Sequence, residues 1–306
     1  MVAPVYLPLL ITAAFGLAAP VLARRLPPPV ATWLLSGGGL LAAAGSTASL
    51  ALLAFQYVAQ APILAARAQW SDTVLHTGDT VSTPIGLLAT VAVAFAAARV
   101  LHVAVRRSTA VLDAHRLAHA LPDTGSELSV IDTAQPQAFA VPGRPGRIVV
   151  TTGLLRRLDA TERRAVLAHE RAHLDHHHHL HHSTAHLSAA VNPLLGRFPA
   201  AVERSCERWA DEDAAHMCRR DTVADALTRA ATSTPPPSAT AVLAAAATDV
   251  ADRVRALRAP APRLAVWRLA LPLGLLAATT IAVAVAMHDT ESLFELAHTT
   301  YRARHL

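Results

Sequence analysis

The sequence predicts a mainly α-helical chain with four transmembrane helices and a cytoplasmic α+β domain inserted between spans 3 and 4. Three observations predict it. Four apolar runs each approach the roughly 20 residues a helix needs to cross a bilayer. The long polar segment between the last two runs holds a strand, a strand–turn–strand pattern and several helical stretches. That same segment contains His169-Glu170-Arg171-Ala172-His173, an H-E-x-x-H pattern.

Composition agrees with the spans. Of 306 residues, 53% are apolar and only 16% charged, with a mean hydropathy of +0.34. That is too apolar for an ordinary water-facing surface. Every one of the 27 basic residues is arginine, and alanine is abundant, the bias of a GC-rich bacterial genome. The net charge is +5, with no basic stripe interleaved with aromatics, so direct nucleic-acid binding is not expected. Cys206 and Cys218 are read as reduced structural thiols.

The first run, Val2 to Leu22, has no positive charge before it, and Arg24-Arg25 follow it. That order reads as a retained span with its N-terminus outside, not as a signal peptide. Pro27-Pro28-Pro29 reads as a stiff turn. The second run, Trp33 to Tyr57, carries aromatic residues at both ends and glycines that suit close helix packing. Gln60 to Thr83 reads as a polar outer loop, poor in positive charge. The third run, Pro84 to Val105, is followed by Arg106-Arg107. The fourth, Leu264 to Met287, begins between Arg263 and Arg268. The positive-inside rule then places both termini outside and the segment between spans 3 and 4 in the cytoplasm. The expected division is 1–105 for three spans, 106–262 for the cytoplasmic domain, and 263–306 for the last span and a short outer tail.

Within the cytoplasmic segment, Val111 to Ala120 reads as a helix and Leu128 to Asp132 as a strand. Ala138–Val141, the turn Pro142 to Gly146 and Arg147–Thr152 read as a hairpin whose edge could pair with an extended peptide. Asp159-Ala160-Thr161-Glu162 is a capping-box pattern, so H-E-x-x-H lies inside a helix. That helix is expected to run past Leu180 and break near Asn192-Pro193. Further helices are expected at Ala200 to Met217 and Ala241 to Arg258, with a proline-rich loop at Ser233 to Ser238 between them and Pro260 and Pro262 after the second.

Two histidines four apart share a helix face and can reach one Zn²⁺, with Glu170 beside the metal as general base. A catalytic zinc takes three protein ligands and leaves one position for water. Glu207, in Glu207-Arg208-Trp209-Ala210-Asp211 on a separate helix, would complete a His₂Glu set. Asp211, one turn on, could accept an N–H from a ligand histidine. Glu203 is a rival third ligand, and His216 and Arg220 are weak candidates for oxyanion stabilisation. Activity is expected to fall in mild acid as His169 and His173 protonate.

H-E-x-x-H followed by E-x-x-A-D on a later helix, with spans on both sides, resembles the membrane zinc metallopeptidases of the BlaR/MecR type and, more distantly, the HtpX type. Gln137 to Gly143 and Arg147 to Leu155 are similar to the strand pair that precedes their zinc helix. The resemblance implies a zincin-like metalloprotease domain. It also implies His169, His173 and Glu207 as ligands of one Zn²⁺, Glu170 as base and Asp211 as an orienting residue. It implies a zinc-dependent endopeptidase of the cell membrane acting on a protein substrate, which in such relatives is a cytoplasmic repressor. Only His288 to Leu306 follows the last run, so the large outer sensor domain of the antibiotic-sensing members is not expected.

The run His176-His177-His178-His179, with His181, His182 and His186, is read as a histidine-rich helix near the membrane surface. His177 would share the face of His169 and His173 on a continuous helix. The alternative function is a histidine-rich metal-binding membrane sensor or transporter without protease activity. Against it, the spans carry almost no polar ligands. An inactive scaffold would not need all five of the expected site residues.

Overall fold

A computed structural model describes residues 3–77, 81–120, 126–143, 146–233, 240–260 and 263–305. Most of these residues are helical. The first two helices are α1 (Ala3–Arg25) and α2 (Pro28–Val58). Pro28 and Pro29 open α2, where a missing N–H costs nothing. Two short helices, α3 (Pro62–Ala68) and α4 (Asp72–Thr77), occupy the expected polar loop. α5 (Thr83–Ala120) runs unbroken from the third apolar run through Arg106-Arg107. Among the described residues, four helices are long and apolar enough to cross a membrane: α1, α2, α5 and the last helix.

The sheet has β1 (Leu128–Ile131), β2 (Ala138–Val141) and β3 (Arg147–Thr151), in the order β1-β3-β2. β2 and β3 form the expected antiparallel hairpin, with Phe139 opposite Val149. Arg144 and Pro145 of its turn lie outside the described residues, as do residues 234–238 of the proline-rich loop and Pro262. β1 joins parallel to β3, which is buried along its whole length. β2 is therefore an edge strand.

The short α6 (Thr152–Leu155) leads to α7 (Ala160–Asp175). The capping box forms as the sequence predicts. Asp159 accepts from the Thr161 and Glu162 N–H groups at 2.7 and 2.9 Å, and Glu162 accepts from the Asp159 N–H at 2.9 Å. The expected continuation past Leu180 is corrected. α7 ends at Asp175, His177 adopts the left-handed conformation (φ 51°, ψ 42°), and a new helix, α8 (His178–Val191), begins. The chain thus turns without the glycine usual at such a position.

Asn192 caps the 3-10 turn Pro193–Leu195, and α9 (Phe198–Met217) returns beside α8. Residues 220–233, left unassigned from the sequence, form α10 (Arg220–Ser233). α11 (Thr240–Arg258) and α12 (Trp267–His305) follow. α12 continues well beyond Met287, so the expected short tail is helical through His305.

The α8–α9 hairpin is wedged against the first two spans. One buried cluster joins Phe15 of α1, Leu26 just after it, Leu35 of α2, Leu195, Phe198 and Val202 of the hairpin, and Leu276 of α12. Phe15 and Phe198 meet at a ring separation of 5.2 Å. Asn192 Nδ2 donates to Ser46 Oγ at 2.9 Å, and Thr32 Oγ1 to Ser205 Oγ at 3.0 Å. A Cβ at Gly16 would collide with the Leu194 carbonyl, so glycine permits this close approach. Between apolar spans such contacts bind through tight packing and polar pairing more than through exclusion of water. A second core joins α7, α9, α10 and α11 through Ala165, Ala214, Val223, Ala224 and Leu257. The second core holds α7 and α9 side by side.

Candidate metal centre

α7 and α9 bring three side chains to one point. His169 Nε2 and His173 Nε2 stand 3.1 Å apart. Glu207 Oε2 lies 3.5 Å from His169 Nε2, and Glu207 Oε1 lies 3.4 Å from His173 Nε2. Among the described residues, these three form the one group of histidine, cysteine and carboxylate side chains close enough to share an ion. Bonds of 2.0–2.1 Å in a tetrahedron place donor atoms about 3.3 Å apart, so the spacing and the His₂Glu donor set both fit zinc. Glu203, the rival ligand, is not in the group and is exposed.

Asp211 sits one turn beyond Glu207, as expected. His169 Nδ1 donates to Asp211 Oδ1 at 3.0 Å, which leaves Nε2 free to face His173 and Glu207. Glu170 follows His169 on α7 and lines a cavity together with Ala140 of edge strand β2, whose backbone N–H works to lower its pKa. Burial raises the Glu170 pKa.

Arg253 of α11 was not foreseen from the sequence. Its Nε and Nη2 hydrogen-bond both oxygens of Asp211 at 2.8 and 2.7 Å, and its Nη1 lies 2.8 Å from Glu207 Oε2. Burial works against its charge, but the two carboxylates outweigh that and raise its pKa further. The signal was present in part. Val250, Arg253, Val254 and Leu257 share one face of a helix, so an arginine stood in an apolar stripe.

The two candidate ligand histidines differ in charge. Burial opposes a proton on His169, yet Asp211 and Glu207 overcome it and lift the pKa to about 10. Burial lowers His173 to about 4. Glu207 is held well below the usual carboxylate range: burial raises it, but the His169 hydrogen bond and the Arg253 charge prevail.

The histidine run does not lie on one face. The turn at His177 points that side chain back to the Leu174 carbonyl, 2.8 Å away, and leaves it exposed. His178 is the residue that meets the centre, with its Nδ1 at 2.8 Å from His173 Nδ1. His176 Nε2 pairs with Asp213 Oδ2 at 2.5 Å and stacks on Trp209. His181 Nδ1 meets Ser36 Oγ of α2 at 2.8 Å. Arg220 is engaged elsewhere, with Glu212 and the last carbonyls of α11, and His216 lines neither cavity beside the centre.

Two cavities flank Glu170. One of about 520 Å³ lies beside His169 and Asp211, walled by Leu154, Val166, Val223 and Leu227. The other, about 230 Å³, is bordered by Ala140, His173, His178 and His182. The Phe139–Ala140 stretch of β2 runs along both.

An H-E-x-x-H helix facing a carboxylate helix, beneath a sheet edge and beside an apolar cavity, defines a metallopeptidase-type centre. The sequence pattern of Peptidase family M48 matches residues 101–261, just over half of the chain, and the chain belongs to that family. It is a metallopeptidase, and its four apolar helices suggest a multi-pass membrane protein. No solved structure matches the chain.

Proposed function

We propose that the chain is an integral-membrane zinc endopeptidase with its catalytic segment, between the third and fourth spans, facing the cytoplasm. The single observation that carries the zinc reading is the set of 3.1, 3.4 and 3.5 Å separations among His169, His173 and Glu207. Arginine pairs beside the apolar runs support the orientation.

A zinc ion held by those three residues would supply Lewis-acid chemistry, lowering the pKa of a water and polarising the scissile carbonyl. Glu170 is the general base. Its carboxylate takes the proton of the attacking water and delivers it to the departing amide nitrogen. The raised pKa of Glu170 suits both halves of that transfer. Asp211 orients His169, and Arg253 fixes Asp211 and one Glu207 oxygen. Edge strand β2 offers backbone groups for an extended substrate, and the larger cavity takes an apolar side chain beside the cut.

The likeness to the BlaR/MecR type supports a regulatory protease that cuts a cytoplasmic repressor. The test compares proteomes of cells carrying the wild type or Glu170→Gln. Protein fragments should appear with the wild type alone while both forms retain zinc. Equal cleavage by the variant would refute the assignment. The sensor or transporter reading predicts metal flux in liposomes that depends on residues 176–182.

A further inference from the structure

His173 lacks the carboxylate partner that His169 has. Its Nε2 faces Glu207, and its Nδ1 stands 2.8 Å from Nδ1 of His178. His178 is 1% exposed and lies edge-on to His173 at a ring separation of 4.8 Å. We propose that His178 is the positioning residue for His173, accepting its Nδ1–H and thereby holding its Nε2 lone pair toward the metal.

The tautomers follow from the geometry. A neutral imidazole carries one N–H and one lone pair. If His173 Nε2 is to ligate, its proton sits on Nδ1. His178 must then accept at Nδ1 and carry its own proton on Nε2. That Nε2 is buried and, among the described residues, has no hydrogen-bond partner, so none of them pulls the proton to the other nitrogen by demanding a lone pair there. The same assignment bars His178 Nε2 from ligating a second ion while His173 holds the first. The histidine run therefore serves the first centre through one member.

The backbone explains why that member is His178. On an unbroken helix His177 would follow His173 by four residues and share its face. The left-handed His177 restarts the helix and brings His178 against His173 instead. His181, next on α8, is tied to α2 by Ser36 and stacks edge-on with Trp33. α2 thus braces the helix that braces the ligand.

This inference rests on His173 being a zinc ligand, and the experiment separates the two. Zinc affinity is measured on the full chain in detergent by competition with a chelating dye. His178→Phe keeps the ring volume but cannot accept, and should weaken zinc binding about 10–100-fold. His178→Asp supplies an acceptor and should restore affinity to within a few-fold of wild type. A purely structural role would give the reverse order, with Phe tolerated and Asp harmful. Wild-type affinity in His178→Phe overturns the proposal. An unchanged affinity in His173→Ala overturns the zinc reading itself. The unmutated zinc-loaded protein gives a second readout: ¹⁵N spectra of labelled histidine should show His178 protonated at Nε2, and protonation at Nδ1 would overturn the proposal even if the variants do not fold.

Discussion

Arg253 grips both oxygens of Asp211, Nε to Oδ2 at 2.8 Å and Nη2 to Oδ1 at 2.7 Å. Asp211 is 3% exposed and Arg253 8%. Removing one partner of a buried pair leaves the other charge unpaired, at about 3–5 kcal/mol. Arg253→Met should therefore lose about that much stability in denaturant titration of the metal-free protein. Arg253→Lys should recover only part of it, because an ammonium cannot form the two-pronged contact. A loss below about 1 kcal/mol for Arg253→Met would mean that water already reaches this pair.

His177 occupies a conformation that side chains with a Cβ adopt at a cost of roughly 1–2 kcal/mol. His177→Gly should stabilise the protein by up to about 1 kcal/mol, since glycine's own entropy offsets part of the relief. His177→Val should destabilise it and, through His178, weaken zinc binding. Thermal unfolding of the three forms checks the order Gly, His, Val.

The metal-free centre carries a proton on His169 at neutral pH and none on His173. Zinc must displace the former, so loading near pH 7.5 should release about one proton, seen as a buffer-dependent heat in calorimetry. Stability follows the same shifts. The raised His169 contributes fully below its ordinary 6.5 and is lost as pH climbs through about 10. The lowered His173 works in the opposite sense, costing stability as pH falls from 6.5 toward about 4. Unfolding free energy of the metal-free protein that rises between pH 7 and 10 would contradict the first assignment.

Ala230 borders the larger cavity from α10 and is only partly buried. Ala230→Phe should fill space that a substrate side chain uses. Cleavage of peptides with bulky apolar residues next to the cut should fall at least tenfold, with small residues less affected and zinc affinity unchanged. Profiling a peptide library by mass spectrometry reads the shift. An unchanged profile would remove this cavity from the substrate path.

Much of the centre was legible because it is local. Asp159 and Glu162 announce the start of α7, and a four-residue spacing puts His169 and His173 on one face. Glu207 and Asp211 repeat that spacing on α9. The β2–β3 hairpin was legible from its turn chemistry. The parallel strand β1 was read as a strand, but its partner depends on a long-range pairing that no local signal encodes.

The rest was hidden for specific reasons. A left-handed turn is read from glycine or asparagine, and here a histidine within a run of histidines makes it. The expected long helix failed there, and with it the placing of His177 on the face of His169 and His173. Arg253 approaches the centre from 42 residues beyond Asp211, a distance set by how α11 docks on α9. The contact of the α8–α9 hairpin with Gly16 and Ser46 likewise arises only when the spans are assembled.

By itself, then, the sequence determined the four long apolar helices, the start of the H-E-x-x-H helix and the donor types, since each depends on periodicity, length or spacing along one element. Only the tertiary structure decided which histidine meets His173, that Arg253 pairs with both carboxylates, and that α1 and α2 pack on the α8–α9 hairpin. Those are contacts between elements, and their geometry comes from packing, which local residue order does not encode.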